Sequence, residues 1–285
     1  MKFIKNLVKY YLSGYLWRQQ LSPDVQLKQK QMALHYLEAK NKNALPPITE
    51  TGFKVFSQFE EDGYLLFIFS IIGHGKKTFI EIGANDGINS NCSNLCIHFG
   101  WTGLFFEGDN TLIKRGRKFY SKYPTPYHAK PIFKQAIITR ENINQLIKEG
   151  GLEGEMDLLS IDIDGNDYWI WDAITQVNPR VVIIETHVEF GMNPIVVPYD
   201  ANYMYPGKHP VYHGASPAAM QILANKKGYR LVATNELGIN HIYVRNDLAE
   251  DLIPEINVAT TLTHPKTVNS FKDFEAVKDW EYIRI

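Results

Sequence analysis

The chain of 285 residues has 45% hydrophobic and 13% aromatic side chains, enough apolar material for one large core. Its 30 basic and 31 acidic residues leave a formal net charge of -1. That balance excludes the broad cationic field that attracts nucleic-acid phosphates, so no nucleic acid is expected as a partner.

The first stretch, MKFIKNLVKYYLSGYLWRQQ, sets Phe3, Ile4, Leu7, Val8, Tyr11, Leu12, Tyr15 and Leu16 at helical spacing, while Lys2, Lys5 and Lys9 interrupt every apolar run. A secretory signal or a membrane span needs an unbroken apolar stretch, so neither is expected. An amphipathic helix of this kind docks on its own core or on a second subunit, which leaves a homo-oligomer open. The alternative is a peripheral contact of residues 1–20 with the inner face of a membrane, the lysines among anionic headgroups. The two cysteines, Cys92 and Cys96, are spaced for one helix face and read as packed, reduced thiols, which suits a cytoplasmic protein.

Residues 21 to 42 are polar with helical periodicity, and the prolines of NALPPIT (43 to 49) stop that helix. In VFSQFEEDGYLLFIFSIIG, Ser57 or Asp62 is expected to begin a helix whose apolar face includes Leu65, Leu66, Ile68, Phe69 and Ile72, with Gly73 as terminator. Short β-rich runs follow: TFIEIG (78 to 83), TGLFFEG (102 to 108), IFKQAII (132 to 138), DLLSIDI (157 to 163), RVVIIET (180 to 186), YRLVATN (229 to 235) and HIYVRN (241 to 246). Helical stretches near 90 to 99, 110 to 122, 141 to 149 and 167 to 176 separate the first five. The alternation predicts an α/β, Rossmann-like open sheet, mostly parallel and with helices on both faces. The short NELGIN turn predicts an antiparallel C-terminal edge hairpin. The expected organisation is an N-terminal helical extension (1–50), a central domain (51–248) and a C-terminal extension (249–285).

The stretch FIEIGANDGINSN (79 to 91) carries the first chemical signal. A buried strand delivers Glu81 and then Gly83, Ala84, Asn85, Asp86 and Gly87 into a tight turn, where glycines let a ligand approach the backbone. The G-x-G-x-x-G fingerprint of dinucleotide sites and the Lys-Ser/Thr of a phosphate loop are both absent. One strand later Glu107 ends GLFFEGD, placed to accept hydrogen bonds from both hydroxyls of a ribose. Turn and acid together point to a nucleoside-bearing cofactor.

These residues resemble motif I of class I S-adenosylmethionine (SAM)-dependent methyltransferases, and the wider pattern resembles the FkbM-like family. The resemblance rests on FIEIGANDG with SQFEEDG (57 to 63), FFEGD (105 to 109), SIDIDGNDYW (160 to 169), VVIIE (181 to 185), and GAS (214 to 216) followed by KGYRLV (227 to 232). It spans about residues 57 to 247 and implies the following. Glu81 and the Gly83–Gly87 turn would lie against the methionine part of the cofactor, with Asn91 and Asp162 in the same site. Glu107 and Gly108 would bind the ribose, and Gln135 and Ala136 would flank the adenine. The implied activity is O-methylation of a hydroxyl of a sugar, glycan or related biosynthetic intermediate, as in polysaccharide biosynthesis. An NAD-dependent oxidoreductase would share the sheet and the ribose acid but should carry the missing glycines. A third alternative is a non-catalytic, membrane-associated binding module that keeps the cofactor fold.

In SIDIDGNDYW, Asp162 ends the fourth strand at the region where open α/β sheets place ligands. Two mechanisms are open. Asp162 and Asp164 with Glu185 or His187 hold a hard divalent ion such as Mg2+ or Mn2+, which orients and acidifies a hydroxyl; or His187 or Asp162 takes the proton directly. Asp167 and Asn166 are expected to start the following helix. The loop-like segment 190 to 216, with four prolines and four tyrosines, is expected to cover the acceptor, and its His209 and His213 are further base or metal candidates.

Overall fold

Each apolar run becomes a strand. They are β1 (Thr78–Ile82), β2 (Thr102–Glu107), β3 (Ile132–Gln135), β4 (Gly154–Ile161), β5 (Val177–Glu185) and, beyond a short β6 (Ile195–Val196), β7 (Tyr229–Thr234) and β8 (Asn240–Arg245). The computed structural model describes residues 17–122 and 130–285. The helix expected over residues 1–20 falls almost wholly outside the described residues. Among those described, no helix is long and apolar enough to cross a membrane.

Seven strands form one sheet in the order β3-β2-β1-β4-β5-β8-β7. Neighbours from β3 to β5 are parallel, and β8 runs antiparallel to both β5 and β7. The expected hairpin is present, with β8 inserted beside β5 so that β7 forms the edge. Strand order reverses between β1 and β4, which opens a crevice at the carboxyl ends of the strands.

Strand alternation divides the core in two. Phe79, Phe105, Leu158, Val181 and Ile183 point to one face, and Ile80, Ile82, Leu104, Leu159 and Ile161 to the other. The helices α1 (Pro23–Asn41), α2 (Glu61–Ile72), α3 (Ser93–Phe99), α4 (Asn110–Lys122), α5 (Ile143–Glu149), α6 (Asp167–Ala173), α7 (Pro217–Lys227) and α8 (Pro265–Ser270) follow in chain order. Cys92 and Cys96 are buried, unpaired thiols at the start of α3. α1 starts at Ser22, whose hydroxyl accepts from the Val25 amide, with Pro23 in the first turn.

The start of α2 departs from the expected cap. Asp62 lies inside the first turn, and its Oδ2 accepts from the amides of Val55, Phe56 and Ser57 at 2.7, 2.6 and 2.9 Å. It organises the preceding loop, while the Ser57 hydroxyl accepts from the Asp62 amide. The C-terminal residues pack on the same core: Leu248, Ala249 and Leu252 lie against it, and the Arg230 guanidinium donates to the carbonyls of Ile253 and Leu248 at 3.0 and 2.7 Å. A last strand, β9 (Ile283–Arg284), pairs antiparallel with β6 just beyond β5.

Candidate active site

The carboxyl ends of β1, β2, β4 and β5 open into a cavity of about 820 Å³. At the end of β1, Gly83 has φ +83°, and a Cβ there would lie 1.7 Å from the Asp162 carbonyl oxygen. The amides of Gly83 and Ala84 both donate to the Phe106 carbonyl at 3.0 Å. The turn is pressed between β2 and β4, and only glycine fits. Beyond it, the Asn85 amide donates to Glu107 Oε2 (2.9 Å) and the Asp109 amide to Glu107 Oε1 (2.8 Å). Each carboxylate oxygen retains a second lone pair, and Glu107 lines the cavity. Leu112, Ala136, Ile137 and Ile138 form an apolar wall beside it, with Ile137 62% exposed. An acid that can bind a diol beside an apolar shelf fits the ribose and adenine of SAM. Leu112, Ile137 and Ile138 carry no sequence signal for the site, although Ile137 and Ile138 close the apolar run 132 to 138.

Glu81 has a different task. Its Oε2 accepts from the Ser90 hydroxyl (2.8 Å) and the Cys92 amide (3.0 Å), and its Oε1 accepts from the Asn91 amide (2.9 Å). Burial raises the pKa of this carboxyl, and these bonds oppose that shift. Glu81 therefore ties the entry of α3 to β1 while still lining the cavity, as do Asn91 and Gly108. Asp86, within the turn, pairs with Arg115 of α4 at 2.6 Å in a nearly buried salt bridge that no sequence motif announced. Three residues expected at the cofactor stand behind the cavity wall. Ala84 is buried, Gly87 packs on the rings of Phe133 and Phe105, and the Gln135 amide donates to the Gly108 carbonyl at 3.3 Å.

On the other side of the crevice, Asp162, Asp164 and Glu185 present carboxylate oxygens that all lie within 4.8 Å of one another. Burial, then the charges of Asp167 and Asp164, raises the Asp162 pKa; burial, then Asp162, raises Glu185 well above its ordinary value. Among the described residues no lysine, arginine or histidine lines the cavity. Crowded carboxylates without a basic partner hold protons or a cation. Three hard oxygen donors suit Mg2+ or Mn2+. The residues present therefore fit the metal the sequence suggested.

His187 does not join them. Its Nε2–H donates to the Val211 carbonyl (2.9 Å), its ring lies 4.0 Å from that of His213, and burial lowers its pKa to about 4. The metal quartet thus reduces to three carboxylates, and His187 stands outside the cavity wall. His213 is likewise held neutral, with its pKa lowered to about 3 by burial, and His209 Nδ1 accepts from the Val211 amide. α6 begins where expected, but its first residues do not cap it. Asp167 accepts from the amides of Ile163 and Gly165, both at 2.9 Å, which fixes the turn carrying Asp164, and the Asn166 amide donates to the Asp200 carbonyl.

The segment after β5 covers this side, and Tyr203, Met204 and Tyr205 line the cavity. It is fastened by the Trp169 indole, which donates to the Val197 carbonyl (2.9 Å), and by Arg140, which lies 5.2 Å from the ring centres of both Trp169 and Tyr199.

No family model and no curated protein matches the chain. Among solved structures it is similar to a SAM-dependent methyltransferase from Clostridium acetobutylicum, at 9% identity over 60% of this chain and 85% of that one, TM-score 0.37. It is similar to another from Methanosarcina mazei, at 9% identity over 59% and 90%, TM-score 0.39. A third is magnesium protoporphyrin IX methyltransferase from Synechocystis with bound SAM, at 12% identity over 59% and 69%, TM-score 0.35. At these scores the likeness carries neither a residue role nor an acceptor to this chain. The chain's own geometry gives a Rossmann-like α/β sheet whose switch-point crevice joins the Glu107 carboxylate to a cluster of three carboxylates.

Proposed function

We propose that the protein is a SAM-dependent O-methyltransferase of FkbM-like type, acting on a hydroxyl of a sugar, glycan or related intermediate with assistance from a divalent cation. The observation that carries this reading is the single cavity bordered by Glu107 on one side and by Asp162, Asp164 and Glu185 on the other. SAM, when bound, supplies the electrophilic methyl group. Glu107 accepts from the ribose hydroxyls, and Leu112, Ala136 and Ile137 hold the adenine out of water. The three carboxylates would hold Mg2+ or Mn2+, which would offset their mutual repulsion and lower the pKa of an acceptor hydroxyl. Asp162 takes the hydroxyl proton. It is preferred to His187, whose Nε2 is committed to Val211 and which the cavity does not reach. The tyrosines of the covering segment give the acceptor apolar ring faces and hydroxyl donors.

The test is transfer of labelled methyl from SAM to a panel of glycosides, with and without exhaustive chelation. Transfer that chelation abolishes and Mg2+ or Mn2+ restores is expected. Full activity in chelator would remove the cation from the reading. Binding of NAD without binding of S-adenosylhomocysteine (SAH) would replace methyl transfer by hydride transfer.

A further inference from the structure

The cavity wall carries six carboxylates, those of Glu81, Glu107, Asp109, Asp162, Asp164 and Glu185, and no cationic side chain among the described residues. Sites that accept phosphate or carboxylate groups provide arginine, lysine or free amides at a helix N-terminus. In the turn before α6 the amides of Ile163 and Gly165 are already taken by the Asp167 carboxylate. A divalent cation on Asp162, Asp164 and Glu185 would leave Glu81, Glu107 and Asp109 with no cationic partner in the wall, and one such like charge about 7 Å away costs on the order of fifty-fold in affinity at an effective dielectric of about 20.

Tyr203 stands over the same carboxylates. Its ring is wedged between two glycines: a Cβ on Gly165 would lie 2.4 Å from Cε1, and one on Gly207 would lie 2.6 Å from Cε2. Its hydroxyl is enclosed and has no hydrogen-bond partner among the described residues. Burial, then the charge of Asp164, raises its pKa, so the hydroxyl stays protonated and can donate. An enclosed donor without a partner is costly unless a ligand supplies the acceptor atom.

Resting on the methyl-transfer reading, we infer that the acceptor enters as an uncharged polyol, without a phosphate or carboxylate inside the cavity, and that the Tyr203 hydroxyl donates to one of its oxygens. Gly165 is then a positioning residue, bare so that the Tyr203 ring can seat. The acceptor class narrows to neutral glycosides and other polyhydroxylated molecules, and sugar phosphates and nucleotide-linked sugars that bury their phosphates here are excluded.

The test uses the full chain with SAH and Mg2+, titrated with neutral methyl glycosides and with the monophosphates of the same sugars, followed by ligand-observed NMR and calorimetry. Neutral glycosides are expected to bind, and their phosphates about fifty-fold more weakly. Tyr203→Phe is expected to bind the glycosides about tenfold more weakly, raising KM more than it lowers kcat, with SAH affinity unchanged. Gly165→Ala should reproduce that loss by displacing the ring. The proposal is overturned if phosphates bind as well as the neutral sugars, if Tyr203→Phe binds like the wild type, or if no neutral glycoside binds a protein that does bind SAH. Failure to bind SAH strikes the methyl-transfer reading instead, and the glycoside comparison is then decided on the protein without SAH.

Discussion

The two sides of the crevice differ in how their polar groups are satisfied. On the β1–β2 side, Glu81 accepts three hydrogen bonds, Glu107 accepts two backbone amides, and Asp86 is paired with Arg115. On the β4–β5 side, the charges that bear on Asp162 and Glu185 are those of other carboxylates, and the Tyr203 hydroxyl has no partner among the described residues. The polar groups of the first side are satisfied by the protein alone. The second reaches electrostatic balance only with protons or a cation. Such a division places stability on one side and chemistry on the other.

The largest expected effect comes from the chemical side. On the proposed mechanism Asp162→Asn removes a cation ligand and the proton acceptor at once, and should lower kcat by about a hundredfold or more while the circular dichroism spectrum and SAH affinity stay near wild type. Unchanged turnover would break the contrast between the two sides. The converse holds for Arg115→Met. It leaves Asp86 nearly buried without its cation, and should cost about 3 kcal/mol in denaturant unfolding and weaken SAH binding through the loosened turn. A neutral effect would show that the turn holds itself.

A smaller effect sharpens the electrostatic half. Asp162 and Glu185 have folded-state pKa values above those of the unfolded chain, so their contribution is greatest at low pH and is lost as pH rises through the raised values. On the proposed reading, Mg2+ or Mn2+ bound there would cancel that alkaline loss. The gain in Tm on adding cation should therefore be several degrees at pH 8 and less at pH 6, where protons compete. Equal gains at both would contradict a carboxylate site. The smallest effect lies in the covering segment. His187 and His213 are held neutral, with pKa values near 4 and 3, below the ordinary value of 6.5. Between about pH 6.5 and 4 the unfolded chain binds more protons at these positions, so stability falls as pH falls. His213→Asn should flatten the slope of Tm against pH in that window.

The contrast also explains what could be read from the residues. The parallel strands were legible because strands buried on both faces are continuous apolar runs such as TFIEI and LLSI. The position of Glu107 followed from strand order, and so did the convergence of Asp162, Asp164 and Glu185, since β4 and β5 are neighbours. Elsewhere the decisive partners are far apart in the chain. Arg115 reaches Asp86 from the helix after β2, and loop 90–92 folds back under Glu81, so neither leaves a local pattern. α7 begins at Ser216 with Pro217, a plain capping signal, yet its exposed Ile222 and its small alanines blur the amphipathic stripe that would mark its length. His187 lies only two residues beyond Glu185, but it is past the end of β5 and its ring turns toward Val211.

Calorimetric titration of SAH into the wild type, Glu107→Ala and Glu185→Gln tests the division of the cavity most directly. The wild type and Glu185→Gln should bind SAH alike, and Glu107→Ala about tenfold more weakly or not at all. Absence of SAH binding to the wild type, or an equal loss in both variants, would contradict the account.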